Sequence, residues 1–249
     1  MAAKLKSITR LIHWFLLART LIFVLAWLYL PFWLFVLLAL YCYFIRIFRA
    51  GRWFMPFLTL LILCAAEPPG ILMALIFGAI FYYLLLIKDL LLIDRTSAHE
   101  LLVIILSFFL FREFFAKFDQ GPTNAAIAWA LLTALLFAIL LGQLMPRKYE
   151  AALRGERELP LLDEIKHDHL RRASRWLAFV VTAELLVAIL FLPVNFIYQS
   201  VLAFLLAVLF IELLPEHAAG VLTTAKIRLT GTVVGVLLIV VLTAAKWGM

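Results

Sequence analysis

The sequence predicts an all-α fold, a polytopic integral membrane bundle of about nine transmembrane helices arranged as hairpins with a cytoplasmic N-terminus. Three observations predict it. Hydrophobic residues make up 67% of the 249, charged residues only 15%, and mean hydropathy is +1.11; in soluble domains about half of the residues are apolar and about a quarter charged. The apolar residues fall into runs near the ~20 residues that a helix needs to cross a hydrocarbon core of ~30 Å. Lysines and arginines, finally, collect in alternate loops, as short cytoplasmic loops require.

Taken in order, the chain opens on MAAKLKSITR and enters an apolar run at 11–30. That run is a full span long, contains Arg19 and ends in no small-residue cleavage site, so it reads as a retained helix and not as a signal peptide. Further runs follow at 32–48, 53–66, 71–87, 99–115, 124–144, 176–192, 196–214 and 229–245. The third is short, since 14 residues rise only about 21 Å as a helix. Were it not to cross, every later loop would change sides. With it crossing and the N-terminus inside, 18 of the 22 lysines and arginines are cytoplasmic. Lys117 and Lys246 are left outside, and Arg19 and Arg112 fall within spans. Tilt or local thinning of the bilayer absorbs the mismatch.

All nine prolines fall at or near a predicted boundary or in the polar loop, as residues without a backbone donor should. Short turns at Leu30-Pro31, Glu67-Pro68-Pro69-Gly70, Asp119-Gln120-Gly121-Pro122 and Leu192-Pro193-Val194-Asn195 make antiparallel hairpins. Ser97-Ala98-His99-Glu100 has the form of a capping box that starts the fifth span and makes His99 and Glu100 interfacial. Asn195 is the expected N-cap of the eighth.

The polar stretch 146–175 divides the chain into a block of about six spans at 1–145 and one of about three at 176–249. It holds the one cluster resembling a metal site, Asp163, Glu164 and His167, beside Asp168 and His169. Glu-x-x-His is a unit of di-iron bundles, but those need it twice, with two further glutamates. A short interfacial helix after Pro160 accounts for the same residues, with acids at its N-terminus and Arg171 and Arg172 at its C-terminus. No metal or other cofactor is expected. Cys42 and Cys64 lie in apolar runs without ligand spacing, and there is no phosphate loop or nucleophile elbow.

Ionisable residues at membrane depth are costly and therefore candidates. Arg19 and Glu184 each lie ninth in their span, which suggests either a proton or cation site with a charge partner or an ion pair that docks two helices. Arg112 and Glu113 point about 100° apart on a helix and are not expected to pair with each other; Arg112 snorkels outward, and Glu113 faces Lys117. Glu67 closes the third span, lining an outward cavity or sitting in a solvated turn. Gly231 and Gly235 form a small-xxx-small pattern that serves helix packing, within the chain or against another.

These readings favour a non-enzymatic subunit or scaffold of a membrane assembly. One alternative is a small proton-coupled carrier using Glu184 and Arg19. Another is a membrane enzyme acting on a lipid-linked substrate through Asp89, Asp94, Arg95 and His99. The partners expected are a bilayer with anionic head groups on the cytoplasmic side and another membrane protein or a second copy. Nucleic acid is set aside despite the net charge of +7, because the basic residues flank apolar spans. The location expected is the plasma (inner) membrane.

Overall fold

The computed structural model describes residues 2–45, 50–89, 95–119, 124–153, 161–218 and 222–245, and among these it contains helices and no strand. In chain order they are α1 (Ala2–Tyr29), α2 (Phe32–Phe44), α3 (Ala50–Ala66), α4 (Ile71–Asp89), α5 (Arg95–Lys117), α6 (Asn124–Leu153), α7 (Leu161–Leu190), α8 (Phe196–Ala218) and α9 (Thr224–Ala244). Among the described residues, five stretches are long and apolar enough to cross a membrane: Ile71–Asp89, Ala125–Leu144, Arg172–Leu190, Phe196–His217 and Thr224–Ala244. The chain is accordingly a helical, multi-pass membrane protein. The apolar parts of the first three helices are shorter, Trp14–Tyr29, Phe32–Phe44 and Trp53–Ala66.

Helix starts follow the local chemistry. Pro31 stands immediately before α2 with φ −58° and ψ 146°, an extended conformation that ends one helix and opens the next. Asn195 caps α8 as expected, its Oδ1 accepting from the Ile197 N–H at 2.9 Å. The Thr223 hydroxyl accepts from the Lys226 N–H at 3.3 Å to cap α9. At the end of α7 the Gln199 side chain donates to the carbonyls of Leu192 at 3.0 Å and Leu190 at 3.4 Å. Those are carbonyls that a terminating helix leaves without partners.

Other expectations are corrected. Pro56, Pro146 and Pro215 do not bound helices but lie inside α3, α6 and α8. Pro56 is the seventh residue of α3, past its first turn, so α3, like α6 and α8, runs on past its proline. The fifth helix begins at Arg95, so Ser97 sits in its first turn and is not its N-cap. His99 is fully buried against its neighbours. The helix after Pro160 starts where expected, at Leu161, but instead of stopping it continues without a break to Leu190 as α7.

By internal packing the chain forms two compact units, Met1–Ala98 and His99–Met249. The polar stretch joins α6 to α7, and these two helices pack closely against each other.

In the first unit, aromatic rings tie four helices together. Phe23 of α1 stacks on Phe81 of α4 at 4.2 Å and meets Phe35 of α2 edge-on at 5.1 Å. Phe57 of α3 stacks on Tyr43 of α2 at 4.2 Å and lies 6.1 Å from Phe81. Such pairs stabilise by about 0.5–1.5 kcal/mol each beyond their area. Trp27 adds a hydrogen bond to the carbonyl of Cys64, 3.0 Å long.

In the second unit α6, α7 and α8 pack on one another, and α9 packs on α8. Phenylalanines bridge α5 to its neighbours, Phe111 to Phe137 at 5.5 Å and Phe108 to Phe204 at 5.4 Å.

Glycines distinguish tight from open contacts. A Cβ on Gly78 of α4 would collide with the Val24 side chain of α1, and one on Gly142 of α6 with the Arg175 stem of α7. On Gly231 and Gly235 of α9 a Cβ would meet nothing within 4 Å. Gly78→Val is therefore expected to destabilise the first unit by about 1–3 kcal/mol through overpacking, whereas Gly231→Ala is neutral or slightly stabilising. Thermal unfolding in detergent checks both, and equal midpoints for the two variants would refute this account of α1–α4 packing.

Candidate functional site

The residues buried along α1 recur at helical spacing: Leu16, Arg19, Phe23, Ala26 and Trp27. On α4 the corresponding stripe is Ala74, Phe77, Phe81, Leu84, Leu85 and Lys88. Contacts run Trp27 to Phe77, Phe23 to Phe81 and Arg19 to Asp89, so the two helices are antiparallel. Each Cα–Cβ bond leans toward its own helix N-terminus. In an antiparallel pair, that makes the Arg19 and Asp89 side chains lean toward one another.

They meet at 3.0 Å, Nη1 to Oδ2, with both side chains 2% exposed. Lys88 stands on the other side of the carboxylate, its Nζ 3.9 Å from Oδ1. The same ammonium donates to the Tyr43 carbonyl and lies 4.3 Å over the Tyr43 ring. The Arg19 guanidinium is stacked 4.3 Å from the Phe15 ring centroid. Its Nε and Nη2 are buried without a hydrogen-bond partner. One carboxylate and two aromatic faces thus hold two cations out of water, which offsets part of a desolvation cost of several kcal/mol per ion.

The sequence marked Arg19 but missed its partner. Asp89 stands in the sequence reading only beside Asp94, Arg95 and His99, in the alternative of a membrane enzyme. The available signal was geometric: α4, followed from Ile71 down α1 from Tyr29, brings its last turn within reach of a long side chain on Arg19. Because Arg19 is paired with Asp89, the proposed docking of helices one and seven by Arg19 and Glu184 is not what holds Arg19.

Glu184 is exposed on α7, with neither a cation nor a hydrogen-bond donor in reach among the described residues. Arg112 and Glu113 do pair with each other, contrary to expectation, at 2.6 Å. Both are partly buried, and flexible stems close the 100° between them, since a charge pair outside water gains more than the bent rotamers cost. Lys117 sits 3.6 Å over the Trp129 ring. Glu67 is half-buried in the turn after α3, its N–H donating to Leu63. Lys226 of α9 bridges Glu216 and Glu212 of α8, the latter at 3.2 Å.

The side chains of Asp163, Glu164 and His167 lie outside the described residues, as do those of Asp94 and Arg95. Among described residues no cluster of three potential metal ligands occurs. Hydroxyls turn back onto their own helices: Thr20 to Leu16, Thr59 to Met55, Ser107 to Val103 and Ser200 to Phe196. The chain matches no family model, no curated protein and no solved structure.

Replacing Asp89 by leucine strands the Arg19 charge and is expected to cost about 3–5 kcal/mol, while Arg19→Met with Asp89→Leu recovers most of that loss. Unfolding midpoints of the purified chain in detergent test it. A double variant no better than the single one would show that the pair is not coupled.

Proposed function

We propose that the protein is a non-enzymatic subunit of a membrane assembly, docked through the face of α9 that carries Gly231 and Gly235. One observation carries the proposal. Only 6% of the α9 span is buried, against 50% for α4 and 56% for α6, yet this helix holds two glycines four apart with open space above both. Elsewhere in the chain, Gly78 and Gly142 are each covered by a neighbouring side chain. Glycine in a helix costs about 1 kcal/mol relative to alanine, and close approach of a second backbone is what that cost supports in membranes. Lys226, clamped by Glu212 and Glu216, holds the base of α9 on α8 and leaves the other face presented.

The proposal includes the topology on which the charge bias rests: nine crossings, the N-terminus and the basic stretch 146–175 on the cytoplasmic side against anionic head groups, and residence in the plasma (inner) membrane. The carrier alternative loses its central pair, since Arg19 is engaged by Asp89, and the hydroxyls of Thr20, Thr59, Ser107 and Ser200 bond back onto their own helices.

The test is the composition of the particle extracted from native membranes in mild detergent. A stoichiometric second membrane protein is expected, and it should be lost from a Gly231→Leu, Gly235→Leu variant whose unfolding midpoint is unchanged. Extraction of the wild-type chain alone as a monomer would refute the subunit reading.

A further inference from the structure

Besides the exposed His169, Arg172, Arg175 and Trp176 toward its start, α7 with the residue that follows it carries one exposed stripe at helical spacing, formed by Ala173, Leu177, Val180, Glu184, Ala188 and Phe191. In that stripe all are apolar except Glu184, which lies well inside the span Arg172–Leu190. On the opposite side of the same helix, Ser174, Ala178, Thr182, Leu186 and Ile189 are buried against its neighbours. The carboxylate is therefore aimed away from the helices with which α7 packs. Lipid is a poor cover for it, because an acid near the centre of a transmembrane helix costs roughly 2.5–3.5 kcal/mol on insertion scales.

We propose that this stripe of α7 is the seat of a partner's transmembrane helix bearing an arginine or lysine at the depth of Glu184. Charge complementarity selects that occupant. An apolar stripe one helix wide takes an apolar helix, and its single acid takes a single cation. A second copy of this chain fits less well. Among the described residues, Arg19 and Lys88 are engaged by Asp89, Arg112 by Glu113, and Lys226 by Glu212 and Glu216, while Lys117, Arg172, Arg175 and Arg228 stand near the ends of their helices or spans and not at the depth of Glu184. Ala188, one turn from Glu184, leaves room for a guanidinium or ammonium to approach from the partner. The inference rests on the subunit reading and adds the partner's chemistry, on a different face from the α9 glycines.

The experiment uses the full chain, donor-labelled, in phosphatidylcholine vesicles with acceptor-labelled synthetic helices of leucine and alanine. One probe helix carries a single central arginine, one a central leucine and one a central glutamate. The wild-type chain is expected to associate with the arginine helix at least about fivefold more strongly than with the leucine helix, and no better with the glutamate helix than with leucine. Glu184→Gln, whose fold is checked by its unfolding midpoint, should abolish the preference. The Gly231→Leu, Gly235→Leu variant should keep it, so that failure at α9 and failure at α7 are read separately. Equal association of the arginine and leucine helices, or a preference that survives Glu184→Gln, overturns the proposal. So does energy transfer between two labelled copies of the chain that Glu184→Gln removes, which assigns the stripe to self-association.

Discussion

A guanidinium placed among apolar helices must find an anion or be drawn to the interface, and the first unit is arranged around the first solution. Arg19 occupies a position of α1 that helical periodicity commits to the buried face, between Leu16 and Phe23. Its reach toward the helix N-terminus brings it to the last residue of an antiparallel α4, Asp89. The pairing demands that α1 and α4 stay close along their length. The absence of a side chain at Gly78, where Val24 fills the space, is what permits it. Ion pair and glycine contact thus specify one register between two helices that are not consecutive in sequence. Such pairs add little net stability over apolar replacements, but breaking one is costly, which is how they fix arrangement. The ring ladder through Phe23, Phe81, Phe57 and Tyr43 then fills the space between those helices and α2 and α3.

Much of the helical layout was legible in the sequence because the membrane imposes a coarse rule. Apolar length and proline-marked turns locate helix starts at Phe32, Ile71, Asn124 and Phe196, since irregular backbone is expelled from hydrocarbon. The same rule is silent once a helix leaves the apolar layer. For that reason α6 and α7 outrun their apolar parts to Leu153 and from Leu161, and Arg95 rather than Ser97 opens α5. Prolines mislead as boundary markers because Pro56, Pro146 and Pro215 lie inside helices, which membrane helices tolerate where neighbouring groups satisfy the freed carbonyl.

The candidate site was half legible. Depth along a run singles out Arg19, but which helix stands opposite is a matter of packing, and no periodicity in one segment encodes its neighbour. Hence Asp89, at the end of a run and beside Lys88, looked like an interfacial residue although it is 2% exposed. Arg112 and Glu113 show the opposite failure. Backbone geometry separates adjacent residues by about 100°, yet long stems bring their ends to 2.6 Å, because reach matters more than Cβ direction when both charges sit partly out of water.

Four of the helical glycines divide into two kinds. Gly78 and Gly142 are spent inside the chain, each beneath a neighbour's side chain, whereas Gly231 and Gly235 face open space. The charges divide in the same way. Arg19, Lys88, Arg112 and Lys226 each meet a carboxylate of this chain, while Glu184 lies in an exposed apolar stripe with no cation in reach among the described residues. Close-approach glycines and in-membrane charges are the two residue types whose cost only a second helix recovers. Among the described residues that cost is met within the chain at α1–α4 and α6–α7 and left unmet on α7 and α9, and this difference is the ground on which both proposals rest.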